Sequence, residues 1–174
     1  GIVPTSSTTA QLALGNAMAI SLMLQKKFNK NDFKKFHPSG NLGKKLRTVE
    51  DIMLTKNKLP LINEKATLGQ AIKLINSKKL GVAIVVNKKK ETVGIFTDGD
   101  IKRTLQKNEN LKKLIIKSLM TKNPISVDKD ALAAKAVGIM NEKKITSLCV
   151  HSKSNKKKTI GIVHIHNLIS ADIS

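Results

Sequence analysis

Gly94-Ile95-Phe96-Thr97-Asp98-Gly99-Asp100 is a corner. Two β-forming residues run into Thr, Asp, Gly and a second Asp, and a helical pattern starts at Ile101. A strand ends here and a helix begins. The polar side chains gather at a helix N-terminus, where free backbone N–H groups favour oxygen-rich anions such as phosphates.

Outward from this corner the chain repeats itself. Leu68, Ala71, Ile72 and Ile75 have the i, i+3, i+4, i+7 spacing of a helix with one buried face, and Ala133, Ala136, Val137 and Met140 repeat it at a shift of 65. Lys78-Lys79-Leu80 matches Lys143-Lys144-Ile145, and the short apolar strand Val82–Val86 matches Ser147–His151 at the same shift. Lys88-Lys89-Lys90 and Lys156-Lys157-Lys158 read as exposed hairpin turns. Beyond them Gly94-Ile95-Phe96 matches Gly161-Ile162-Val163 at a shift of 67, because the second hairpin is two residues longer. Ahead of each unit, Asp51-Ile52-Met53 matches Ser118-Leu119-Met120. Each unit reads strand–helix–strand–strand–helix. A unit of about 60 residues buries only about 60% of its surface and is marginal alone, so a pseudo-twofold pair sharing a core is expected.

A different piece stands in front. Thr5–Thr9 is polar and offers several N-caps, and Ala10–Lys27 reads as a helix with apolar residues on nearly all sides. Such a helix expects burial on several faces, against a partner beyond this chain or in another subunit. A short helix is expected at Asn31–Phe36, then a turn-rich loop from His37-Pro38-Ser39-Gly40 to Leu46. The extended polar start reads as cut from a larger domain.

Composition excludes several classes. Apolar residues make up 40% and charged residues 25% of 174, which is globular rather than disordered. The net charge of +20 attracts polyanions, but it is spread: +7 over residues 1–47 and +13 over 48–174. Arg47 and Arg103 are the two arginines, and Trp and Tyr are absent, so the usual base readers and stacking platforms are missing and no specific nucleic-acid recognition is expected. Leu12–Leu24 is too short and too interrupted to span a bilayer, and no signal peptide is visible, so a cytoplasmic protein without a membrane partner is expected. Cys149, alone in an apolar run, reads as a small core residue in a reducing compartment.

The duplicated corner, G-h-x-T-x-x-D at Gly94–Asp100, resembles that of a tandem CBS pair, a Bateman module, over residues 48–174. The resemblance implies an α/β regulatory fold whose clefts often take adenine nucleotides. It makes Gly94, Thr97 and Asp100 ligand-binding residues, with Thr97 on phosphate or ribose and Asp100 accepting from ribose hydroxyls. A charge-assisted hydrogen bond of that kind contributes about 1.5–3 kcal/mol, roughly 10–100-fold in affinity. Read from the residues alone, Thr97 and Asp98 cap the helix, and both readings stand at this point. The second corner, Gly161-Ile162-Val163-His164-Ile165-His166-Asn167, has His for Thr and Asn for Asp, which puts a second nucleotide site in doubt. His164 and His166 suggest a metal by spacing, but no Cys, Asp or Glu lies nearby in sequence to complete one, and no metal is expected.

The leader carries a second resemblance. Thr5-Ser6-Ser7-Thr8-Thr9, Leu14-Gly15-Asn16-Ala17-Met18-Ala19 and the His37–Leu46 loop, followed by a CBS pair, are similar to the end of the sugar isomerase (SIS) domain of arabinose-5-phosphate isomerases. That resemblance divides the chain into 1–47, the end of an SIS domain truncated here, 48–109, the first CBS repeat, and 110–174, the second. It implies interconversion of D-ribulose 5-phosphate and D-arabinose 5-phosphate for synthesis of the lipopolysaccharide sugar Kdo. His37 matches the catalytic His, and the hydroxyls of Ser6 and Ser7 would lie near the sugar phosphate. No cofactor is required in principle. An effector at the CBS pair, a nucleotide or a nucleotide-activated sugar, and a homo-oligomer are expected. The alternative is a free-standing CBS pair that binds an adenine nucleotide without catalysis.

Overall fold

The computed structural model describes residues 2–29, 32–33, 36, 41–107 and 114–173. They form two units, a leader, Gly1–Leu46, and a body, Arg47–Ser174. In the leader, helix α1 spans Thr5–Gln25 and begins five residues before the expected start. The polar run is its first turn rather than a set of caps. Ser7 and Thr8 donate their hydroxyls to the Pro4 carbonyl, and Thr9 donates to that of Thr5. Hydroxyls that bond back to i−3 and i−4 carbonyls are compatible with helix, which is why the run is absorbed. No residue of α1 is buried, and Leu12 and Leu24 are 67% and 75% exposed. The burial expected for this all-round apolar helix is supplied by none of the described residues. Of the short helix expected at Asn31–Phe36, only Asp32, Phe33 and Phe36 are described, all helical. Residues 37–40, His37 included, lie outside the described residues, and Asn41–Lys45 forms a helical turn, α2, where a loop was expected.

The body holds two sheets. In the first, β1 (Leu61–Asn63) leads to helix α3 (Leu68–Lys78), β2 (Val82–Val86), β3 (Thr92–Thr97) and helix α4 (Asp98–Lys107). Helix α5 (Ile116–Leu119) and strand β4 (Thr121–Lys122) open the second half, followed by β5 (Ser126–Asp128), α6 (Ala133–Lys143), β6 (Ser147–His151), β7 (Gly161–His164) and α7 (Ile165–Ser170). The sheet orders are β1-β2-β3-β4 and β5-β6-β7, with the first pair in each parallel and the rest antiparallel. The strand–helix–strand–strand–helix order expected for each unit is the order observed. Thr67 caps α3 through a capping box with Gln70, and the helix buries Leu68, Ala71 and Ile75.

The segments ahead of the two units change places. Val49 N–H bonds to Ala131 O, and Leu54 pairs with Ile162, so residues 48–54 pack on the second sheet. At the equivalent positions Ile116 N–H bonds to Ala66 O, and Thr121 pairs with Ile95 on the first sheet. Val49 and Ile116, both fully buried, each join the core of the other half. Burying an aliphatic side chain of this size contributes about 1.5–3 kcal/mol, so each half takes part of its core from the other's lead-in. Gly94 and Gly161 make room for this. A Cβ on Gly94 would lie 2.5 Å from Met120 Sδ and 2.9 Å from the Thr121 carbonyl oxygen, and one on Gly161 would meet the Met53 side chain.

Between the sheets Val82, Ile84, Cys149 and Ile162 form a shared core, the pseudo-twofold pair expected from the repeat. At one end of the sheets the two lysine hairpins are exposed and lie side by side. Thr92 N–H donates to Lys157 O, and the Thr92 and Thr159 hydroxyls are 2.7 Å apart. The opposite end holds the start of β2 and β6 and the first turns of α4 and α7.

Candidate functional site

At that opposite end a cleft of about 630 Å³ opens between the two halves of the body. Leu80, Val82, Ile95, Pro124, Ile125 and Ile145 give it an apolar wall. Both corners line it, Thr97 to Asp100 from the first half and His164 with His166 from the second. Lys79 and Lys144 stand at its rim, each in the left-handed backbone conformation that ends α3 and α6. An apolar wall with a few convergent polar groups suits a small molecule with an apolar part and a polar part.

At the first corner Thr97 and Asp100 form a reciprocal cap. Asp100 N–H donates to Thr97 Oγ1 at 3.3 Å, while Thr97 N–H and Oγ1 both donate to Asp100 Oδ2 at 2.8 Å. Arg103 Nη2 donates to the other carboxylate oxygen at 2.6 Å. The capping reading therefore holds for Thr97, with Asp100 and not Asp98 as its helical partner. Asp98 turns toward Gly81, whose φ is +64°, and its N–H donates to Gly81 O. An ionised carboxylate only accepts, so the single Thr97 hydroxyl hydrogen is already committed to Asp100. Toward a ligand Thr97 offers a lone pair, which fits a ribose hydroxyl better than a phosphate oxygen. Gly94 does not line the cleft. It is buried, and its missing side chain serves the approach of Met120 and Thr121.

The second corner is built differently. His164 takes the place of Thr97, and its Nδ1 accepts from His166 N–H at 3.2 Å, so an imidazole caps α7. With Nδ1 accepting, the ring hydrogen sits on Nε2. Burial, and then the neighbouring His166, push the His164 pKa below the ordinary imidazole value. The two rings lie 5.0 Å apart. Ser147, directly across the ladder from His164, stands where Val82 faces Thr97 in the first half. Ser147 Oγ and Asn167 Oδ1 are buried without a hydrogen-bond partner. Among the described residues no group of three or more His, Cys, Asp or Glu is placed to hold a metal. Arg103, Lys144 and Ser147 were missed in the sequence. Of these only Ser147 had a signal, a hydroxyl in an apolar run whose counterpart is Val82.

The other assigned residues lie elsewhere. Ser6 and Ser7 are exposed in the first turn of α1, with Ser7 donating to Pro4 O at 3.0 Å. His37 is outside the described residues. Cys149 is buried in the shared core, which pushes its thiol pKa up to about 11. Among the described residues no helix is long and apolar enough to cross a membrane.

The chain is 37% identical over 174 residues to the arabinose 5-phosphate isomerase KdsD of Salmonella typhimurium and 35% identical to KdsD of Yersinia pestis. Each alignment takes in 99% of this chain and 52% of the relative, so the chain spans about half the length of the curated relatives it matches. Among solved structures, CBSX2 in complex with AMP is similar at a TM-score of 0.61 and 26% identity, over 72% of this chain and 95% of that one. The CBS domain protein PAE2072 from Pyrobaculum aerophilum shares the fold at a TM-score of 0.62 and 18% identity, over 70% and 90%. The CBS domain model matches residues 49–107 and 116–174, the two halves that share the cleft, and the chain belongs to the CBS domain family as a tandem pair.

Proposed function

We propose that these 174 residues are the C-terminal regulatory part of a D-arabinose-5-phosphate isomerase, the end of an SIS domain followed by its CBS pair. The observation that carries this reading is the extent of the likeness: the identity to KdsD runs through 99% of the chain, the leader as well as the CBS pair. The reaction is an aldose–ketose isomerisation between D-ribulose 5-phosphate and D-arabinose 5-phosphate, serving Kdo and lipopolysaccharide synthesis. A proton moves between adjacent carbons through an enediolate, which calls for a general base, a general acid and an anchor for the phosphate. His37 is assigned to proton transfer, since an imidazole titrates near neutral pH. Ser6 and Ser7 are assigned to the neighbourhood of the sugar phosphate. The protein works as a cytoplasmic homo-oligomer.

The cleft takes an adenine nucleotide or a nucleotide-activated sugar as effector. Its apolar wall accepts the ring, and Thr97 and Asp100, held rigid by their mutual cap, accept from ribose hydroxyls. The likeness to CBSX2, solved with AMP, supports this assignment.

In a full-length protein His37→Ala should lower isomerase turnover by orders of magnitude with the fold intact, as checked by circular dichroism. Near-normal turnover removes His37 from the mechanism. Calorimetric titration of AMP into the 174-residue chain should show binding that Asp100→Ala weakens; equal affinity in both would leave the first corner a cap alone. The isolated chain should not isomerise ribulose 5-phosphate, because one imidazole cannot supply acid, base and phosphate cradle together.

A further inference from the structure

We propose that the second corner of the cleft is an oxyanion subsite for a phosphate monoester, formed by Ser147, His164 and Lys144. The reading that the cleft takes a nucleotide places the phosphate of that ligand here, while its ribose lies at Thr97 and Asp100.

Three observations on this half of the cleft converge. Ser147 is 9% exposed, lines the cleft, and its hydroxyl has no hydrogen-bond partner. A buried hydroxyl left without a partner is destabilising, and a ligand oxygen in the cleft relieves that penalty. His164, across the ladder on the same face, spends Nδ1 on the cap and keeps Nε2–H as a donor even when neutral. Lys144 adds a cation at the rim.

The charges divide the cleft in the same sense. Its lining acids, Asp98 and Asp100, both belong to the first half, where Arg103 is already paired with Asp100. The second half lines it with Lys144, His164 and His166 and, among the described residues, no acid. Lys79 and Arg103 balance the two acids of the first half, so an anion meets no net attraction at the first corner and is attracted at the second, whereas ribose hydroxyls are acceptable at the first. Hydroxyl, imidazole and ammonium donors suit a tetrahedral oxyanion. The exchange of Val for Ser and of Thr for His thus replaces one ligand chemistry with another, and the pair takes one ligand end to end rather than two alike.

The test uses the whole 174-residue chain and three probes: inorganic phosphate, AMP and adenosine. Millimolar inorganic phosphate should shift the His164 imidazole resonances in NMR and raise the pH at which His164 titrates. Ser147→Ala and Ser147→Val, both checked for native melting, should suppress that shift. They should weaken AMP roughly tenfold while leaving adenosine unchanged. A phosphate response at His164 with no binding of AMP or adenosine supports the subsite and ends the nucleotide reading. Equal affinity for AMP and adenosine, with His164 indifferent to phosphate, overturns the subsite and leaves the nucleotide reading standing.

Discussion

Gly94→Ala tests the exchange of lead-in segments. The new Cβ would lie 2.5 Å from Met120 Sδ, 2.9 Å from Met120 Cγ and 2.9 Å from the Thr121 carbonyl oxygen. The methionine tip is able to move. The carbonyl is main chain, and Thr121 is laddered to Ile95, next to the mutated residue, so it yields only if β4 shifts. Overpacking of this kind costs about 1–3 kcal/mol. Removing a glycine returns about 0.4–1 kcal/mol by restricting the unfolded chain. The clash wins, and a net loss of about 1–2 kcal/mol lowers the melting temperature of a chain this size by about 2–8 °C. Gly161→Ala should cost less, since the three atoms nearest its Cβ all belong to the Met53 side chain and none to the main chain. Met53→Ala should then rescue Gly161→Ala, while Met120→Ala should rescue Gly94→Ala only in part, because the carbonyl contact remains. The assay is thermal denaturation of the four variants followed by circular dichroism. A Gly94→Ala melt within about 1 °C of the parent, or full rescue by Met120→Ala, refutes the reasoning.

Thr97→Ala removes the reciprocal cap and should cost about 1 kcal/mol in urea denaturation. Asp100→Ala should add little to it, because the two residues hold each other; fully additive losses would mean that each acts alone. Thr92→Val leaves the Thr159 N–H without its acceptor and the Thr159 hydroxyl, in a residue only 8% exposed, without its Thr92 partner, and should destabilise by about 1–3 kcal/mol, whereas Thr92→Ser should be close to neutral. For Cys149, burial raises the thiol from 9.0 to about 11. The unfolded chain releases that proton first, so stability is complete below about pH 9 and falls between about 9 and 11. Melting curves against a Cys149→Val comparator isolate this loss from lysine titration, and an identical alkaline profile in both proteins contradicts it.

The repeat was legible because it is written in spacing. Helix faces at Leu68, Ala71 and Ile75, strands at Val82–Val86 and Ser147–His151, and the offset between hairpins all appear in the structure as expected. The first corner was legible as a strand-to-helix turn, and Thr97 and Asp100 do line the cleft. Gly94 was harder. A glycine needed for close approach looks the same in sequence as one needed for a ligand, and only the position of Met120 separates them. The start of α1 was missed because serine and threonine hydroxyls serve equally as caps or as back-bonded first-turn residues.

By itself the sequence determined the duplicated fold, since apolar period and turn chemistry are local properties and recur at a constant shift. It also determined that the two corners differ in chemistry. Which sheet each lead-in joins was decided only in three dimensions, because segments 48–54 and 115–122 each carry four apolar residues and nothing in their spacing names the sheet that receives them. The tertiary structure alone also put Ser147 and His164 on one face of a ladder and left the Ser147 hydroxyl without a partner. Satisfaction of a buried polar group depends on neighbours distant in sequence, and no period in the chain encodes it.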